Sequence, residues 1–206
     1  MRSAFAIIVA LLTAPALAQT IPTMADQPGQ PDTGTTVAGT YQVDPEHTQV
    51  LWEVNHMGLS RLAGMFGASK GRLILDPDDL AATRLEVSFH IEGVSVTSSA
   101  FAHHLLADDF FAVAEYPTAR FVSTSIAADE DGAATTTGDL TIKNITQEIT
   151  IDAHFVGAGI NPMDEKLHIG FSGAATLQRS DFDLGAYAPG VSDDVSLTIN
   201  AAFVVQ

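Results

Sequence analysis

From His47 to Val205 the chain repeats one device: short runs in which apolar and polar residues alternate, punctuated by turn residues. Side chains of a strand point to opposite faces in turn, so a period of two marks a strand with one buried face. Arg84–Glu92 shows it most cleanly, with Leu85, Val87, Phe89 and Ile91 opposed by Glu86, Ser88, His90 and Glu92. His47–His56 sets Val50, Trp52 and Val54 against Gln49, Glu53 and Asn55. Met57–Gly67, with Gly58, Gly64 and Gly67, reads as a bend, and Ser69–Leu75 as a strand running to a turn at Asp76–Asp79. Ala119–Ala127 follows, closed by a turn at Asp129–Gly132. Gly138–Ile142 and Gln147–Phe155 form a hairpin about Lys143-Asn144; Asn144-Ile145-Thr146 also fits a glycosylation acceptor, but the turn explains it better. Leu167–Leu177 and Val195–Val205 complete the set, separated by a long loop over Arg179–Asp194.

About eight short strands, each with one apolar face, predict an all-β chain. An eight-stranded antiparallel barrel is the economical solution because closure removes exposed edges, and a two-sheet sandwich satisfies the same pattern. Eight strands enclose an interior that is either filled by side chains or holds one small ligand. The phenylalanines argue for packing, while Gly170, Gly173, Ala174 and Ala175 leave room, so composition keeps both open.

One stretch breaks the period. Ser98–Pro117 has helical spacing, with Phe101, Leu105 and Leu106 behind a Ser-Ser pair suited to an N-cap. Asp108-Asp109 reads as a second cap opening a turn that carries Phe110, Phe111 and Val113, stopped by Tyr116-Pro117. A short helical insertion at about 98–114 in a strand-rich chain is expected to cover or line an opening.

The N-terminus carries a different signature. Arg2, the apolar run Phe5–Leu12 and the small-x-small Ala16-Leu17-Ala18 have the form of a secretory signal over residues 1–18, leaving Gln19 as the mature start. Residues 19–40, rich in Pro, Gly and Thr, are expected to be a flexible linker ahead of one domain over 41–206. No cysteine follows the cleavage site to take a lipid, and no later segment reaches the ~20 apolar residues of a membrane span. Export to the periplasm is therefore expected, with a fold that relies on its core and not on disulfides. Without Arg2 the chain has eight basic against twenty-five acidic residues, a net charge of −17, which opposes nucleic acid and anionic surfaces.

Polar constellations are weak. His103 and His104 are adjacent and diverge on a helix, and the other five histidines are scattered, so no metal site is expected. Ser180 and Asp181 with a distant His would be needed for a hydrolase, but no nucleophile elbow accompanies them, and Ser-Asp is ordinary turn chemistry.

Four stretches carry a resemblance: residues 41–71 (YQVDPEHTQVLWEVNHMGLSRLAGMFGASKG), 103–123 (HHLLADDFFAVAEYPTARFVS), 138–151 (GDLTIKNITQEITI) and 179–199 (RSDFDLGAYAPGVSDDVSLTI). In order and spanning Tyr41 to Val205, they resemble the YceI-like family of secreted, lipocalin-like polyisoprenoid-binding proteins. The resemblance implies an eight-stranded barrel with an associated helix and an apolar tunnel for a long isoprenoid-type chain or another amphiphile such as a quinone. It also implies no enzyme activity, no cofactor and frequent homodimers. On that basis the tunnel is expected to be lined by Val54, Leu85, Phe89, Phe121, Ile151, Phe155, Phe171 and Leu197 from strands, and by Phe101, Leu105, Phe110 and Phe111 from the insertion. His56, Arg179 and Asp181 are the candidates for orienting a head group. A periplasmic metal- or pH-responsive protein using its histidines is the alternative, and a hydrolase a more distant one. Two departures stand out. Phe101-Ala102-His103-His104-Leu105 replaces the family's usual Arg-Asp-x-His-Leu, and Asp183 follows Phe182 where the family has glycine, so that turn is expected to differ.

Overall fold

The alternation is realised as nine antiparallel strands that occupy eight positions around a closed barrel. The computed structural model describes residues 27–128 and 133–206; the expected signal segment, the first part of the expected linker and the Asp129–Gly132 turn lie outside the described residues. The strands are β1 Gly39–Val43, β2 Gln49–His56, β3 Ser60–Leu75, β4 Arg84–His90, β5 Thr118–Ala128, β6 Ala133–Ile142, β7 Ile145–Ile160, β8 Leu167–Gln178 and β9 Asp194–Val205, with helix α1 at Ser99–Leu106.

Nine strands fit eight positions because β1 and β2 share one. Both lie between β3 and β9: Tyr41 of β1 faces Leu73 and Val205, and Trp52 of β2 faces Gly64 and Leu197. The break between them is anchored on Ala202 of β9, whose carbonyl accepts from the Asp44 amide at 2.8 Å and from the Thr48 hydroxyl at 3.1 Å. Pairing of β3 with β4 closes the ring.

Antiparallel connectivity sorts the connections between two ends. One end carries the β2–β3 turn, the α1 segment between β4 and β5, the β6–β7 hairpin and the long β8–β9 loop. The opposite end carries the β3–β4 and β7–β8 connections, the end of β9 and the segment preceding β1. Packing concentrates in two clusters, around Tyr41, Leu73, Ile169 and Phe203 and around Phe121, Leu140, Phe182 and Leu184. Lys143 and Asn144 both take left-handed φ, 51° and 60°, so the β6–β7 connection is the two-residue turn expected of that hairpin.

Four sequence expectations change. The bend at Met57–Gly67 shrinks to residues 57–59, and Gly64 and Gly67 lie within a sixteen-residue β3. Gly64 is there for Trp52: a Cβ on it would stand 2.4 Å from the indole ring. Ser98 does cap α1, its hydroxyl accepting from the Phe101 amide at 3.2 Å. The second helical turn does not form, because Ala112 adopts a left-handed φ of 46°; the chain folds instead into turns closed by Phe111 N–H to Leu105 O (3.0 Å) and Ala112 N–H to Ala107 O (2.9 Å). Asp183 takes φ 56°, the left-handed region glycine enters freely, and its carboxylate receives the Lys143 ammonium at 2.8 Å.

The fourth change concerns the linker. In its described part it is tied down: Gln30 exchanges two backbone hydrogen bonds with Ala158 of β7 (2.9 and 3.0 Å), Asp32 caps a short 3₁₀ turn at Thr33–Thr35, and the Tyr41 hydroxyl donates to Val37 O at 2.8 Å. β7 and β1 lie on opposite sides of the ring, so this segment crosses the opening of the barrel end away from α1. β7 accommodates it with Gly159, where a Cβ would meet Pro28 O at 2.0 Å.

Candidate functional site

The inward faces of the strands do not fill the barrel. They surround a cavity of about 1070 Å³, lined from the α1 end (His56, Phe101, Tyr187) to the strapped end (Thr33, Thr36, Leu80). That is at or above the ~300–1,000 Å³ of ordinary small-molecule pockets. The twelve residues of β9, at ~3.3 Å each and tilted by ~40°, make the wall ~30 Å tall. The space is long, narrow and apolar.

All twelve residues expected to face a tunnel line this cavity: Val54, Leu85, Phe89, Phe121, Ile151, Phe155, Phe171 and Leu197 from the strands, and Phe101, Leu105, Phe110 and Phe111 from the α1 segment. Cross-strand pairing brings the strand residues together, for example Phe155 opposite Phe171 and Phe171 opposite Ala201. Phe155 and Phe171 pack edge to face at 5.8 Å, and Phe171 and Phe203 do so at 6.1 Å. On α1, Phe101, His104 and Leu105 share the cavity side because residues three and four apart lie on one helix face. His103, the neighbour of His104, does not line the cavity, as divergence on a helix requires.

The three head-group candidates separate. His56 lines the cavity at the α1 end, where its backbone bridges to Val191. Asp181 is exposed, does not line the cavity, and uses its carbonyl to accept from Gln147 Nε2 at 3.1 Å. Arg179 reaches the cavity wall but is only 7% exposed and its donors are spent on the β8–β9 loop. Its Nε donates to Ser192 O (2.8 Å), Nη1 to Leu184 O and Ala186 O (the latter 2.7 Å), and Nη2 to Val191 O (2.8 Å). Burial lowers its pKa from the usual arginine value, opposed by the Asp193 carboxylate. Arg179 is thus the staple of a loop. Beside it, the Ser180 hydroxyl donates to Asp193 at 2.5 Å, and this bond holds the Asp193 carboxyl below its ordinary value. Ser180 is committed to a carboxylate rather than to a histidine base.

Three lining groups escape sequence reasoning as site residues. Trp52 belongs to an apolar face that alternation does reveal, and it meets Phe101 edge-on at 6.4 Å. Tyr187 sits in the long loop at φ 64°, stacked on Phe110 at 6.0 Å and 6.0 Å from the His104 ring, and no periodicity marks it. The strap residues Thr33, Gly34 and Thr36 leave one trace, the Gly157-Ala158-Gly159 run that lets another backbone approach β7. Among the described residues no group of three or more His, Asp or Glu is gathered to hold a metal ion, and no helix is long and apolar enough to cross a membrane.

Comparison with known proteins agrees with this architecture. Residues 41–203 match the family model for the YceI-like domain. Protein YceI of Escherichia coli O17:K52:H18 is 32% identical over 175 residues, covering 84% of this chain and 91% of that protein. The crystal structure of Burkholderia cenocepacia BcnA superposes with a TM-score of 0.67 at 22% identity, over 78% of this chain and 98% of that one. A polyisoprenoid binding domain from Saccharophagus degradans, implicated in plant cell wall breakdown, superposes at 0.59 with 10% identity, over 82% of this chain and all of that one.

Proposed function

The chain belongs to the YceI-like family, and from that premise we propose that it is a non-catalytic carrier holding one long-chain isoprenoid-type lipid, a polyisoprenoid or an isoprenoid quinone, inside its barrel. The observation that carries the proposal is the cavity: about 1070 Å³, spanning the barrel, with walls of Val, Leu, Ile and Phe side chains. A chain threaded along it leaves water at ~0.8 kcal/mol per buried CH₂, enough to offset the loss of its freedom on binding. The Saccharophagus degradans domain of the same fold, described as polyisoprenoid-binding, supports this choice of cargo. The N-terminal signature supports export of this carrier to the periplasm, with cleavage before Gln19.

Native mass spectrometry with solvent extraction tests the proposal. A co-purified chain of lipid mass supports it, and a ligand-free protein carrying a stoichiometric metal overturns it. Phe89→Asp and Phe171→Asp place a charge in the apolar wall, so each is expected to abolish lipid retention; a folded variant that keeps the lipid refutes the assignment of the site. N-terminal sequencing of the periplasmic fraction checks export, and an uncleaved cytoplasmic protein refutes it.

A further inference from the structure

The two ends of the cavity are closed in different ways. At the α1 end the cover is built into the fold. Leu105 and Ala112 are buried there, Phe101 meets Trp52 at 6.4 Å and Phe111 meets Phe66 at 5.7 Å. Arg179 ties the β8–β9 loop through four backbone carbonyls. Opening that end would expose apolar surface and strip a buried guanidinium of its acceptors.

The strapped end is held more lightly. Residues 30–37 pass over it, and Thr33, Gly34 and Thr36 form part of the cavity wall, yet no residue of the segment is buried. The segment is fastened near its two extremities. Gln30 exchanges its two backbone hydrogen bonds with Ala158 of β7, and the Tyr41 hydroxyl donates to Val37 O at 2.8 Å and accepts from Val37 N–H at 3.3 Å. Between those points its hydrogen bonds run within the segment. The Asp32 carboxylate accepts from Gly34 N–H, Asp32 O from Thr35, and Thr33 O from Thr36. The turn at 32–36 can therefore move as a unit without breaking any of them. A segment with no buried side chain belongs to the low-stability part of a fold, and water can take over the two bonds at Ala158 once the bridge parts.

Given the carrier reading above, on which this inference rests, the lipid must pass one of these ends. We propose that the strap is the gate of the cavity: parting of the Gln30–Ala158 bridge swings residues 30–36 about Val37, and the apolar chain enters and leaves there while the α1 end stays shut. Each loading event then waits on a local opening of the strap.

The test locks the gate. Gln30 and Ala158 form a hydrogen-bonded antiparallel pair, a geometry that places Cα atoms ~5.5 Å apart, within the span of a disulfide. The chain has no cysteine, so Gln30→Cys combined with Ala158→Cys introduces the only thiols. Delipidated full-length mature protein is mixed with a prenyl-substituted benzoquinone, and quenching of its single tryptophan, Trp52 in the cavity wall, follows loading. The oxidised variant should load and release at least about tenfold more slowly than its reduced form, with the equilibrium affinity unchanged within about threefold, because association that waits on a conformational change is slow. Gly159→Val, which crowds the strap backbone at Pro28, should load severalfold faster than wild type. Equal rates in the oxidised and reduced forms overturn the inference; if the cysteine pair does not close, a Gly159→Val protein that loads at the wild-type rate overturns it. A wild-type protein that binds none of the quinone overturns the carrier reading itself, and this inference with it.

Discussion

Removing the Arg179 guanidinium separates the two roles that residue could play. Arg179 is 7% exposed and makes four hydrogen bonds to backbone carbonyls of the β8–β9 loop. Bonds from a charged donor are worth ~1.5–3 kcal/mol each, and truncation would leave four carbonyls short of a donor. Part of the loop, including Tyr187 and Pro189, is exposed, so water can reach some of those carbonyls once the loop relaxes. Crediting about half of the gross ~6–12 kcal/mol, Arg179→Ala should cost ~3–6 kcal/mol. At ~2–4 °C per kcal/mol for a chain of this size, the melting temperature should fall by ~6–24 °C. Arg179→Lys should recover less than half, because an ammonium cannot reproduce the planar fork. Calorimetry and urea unfolding measure this, alongside lipid retention below the transition. The reasoning is refuted if Arg179→Ala loses less than ~1 kcal/mol. A variant of wild-type stability that no longer retained lipid would make the arginine a ligand contact instead.

Two further predictions follow from the strap and from the loop carboxylate. Gly159→Val places a Cβ against Pro28 O, 2.0 Å away, so the strap should detach: amide exchange at Gln30 and Ala158 accelerates and stability drops by ~1–2 kcal/mol, whereas Gly39→Ala, with open space beside it, should change neither. Unchanged protection at Gln30 in the Gly159 variant would show that the crossing segment is not held there. The Asp193 pKa is lowered from 3.8, chiefly by the Ser180 hydroxyl. Its stabilisation is therefore present above the unfolded-state value and lost as pH falls through the lower folded-state value. Urea midpoints should show the gap between wild type and Asp193→Asn closing below about pH 4, and a gap constant from pH 3 to 7 would rule out the linkage. His47, raised mainly by its 2.7 Å bond to Asp44, has the opposite sign: its contribution is complete below the unfolded value and fades as pH rises through the folded one.

Local chemistry settled the faces. Leu85, Val87 and Phe89, or Val195, Leu197 and Ile199, point inward because side chains alternate with every residue, and a slip of one would turn the whole set to solvent. Ser98 announced the start of α1 for a similarly short-range reason, since a cap bonds an amide three residues on. The sharing of one barrel position by β1 and β2, the strap across the far opening, the meeting of Tyr187 with Phe110, and the conversion of Arg179 from head-group candidate to loop staple were all decided in three dimensions. What these have in common is that their partners are backbone carbonyls and amides, or side chains far apart in the chain. Backbone groups are the same at nearly every position, so residue types do not reveal which carbonyl a buried arginine will find or which strand a passing segment will join. The sequence alone therefore determined strands with one apolar face each; tertiary structure determined that they close into a barrel, that the barrel is hollow, and how its ends are covered.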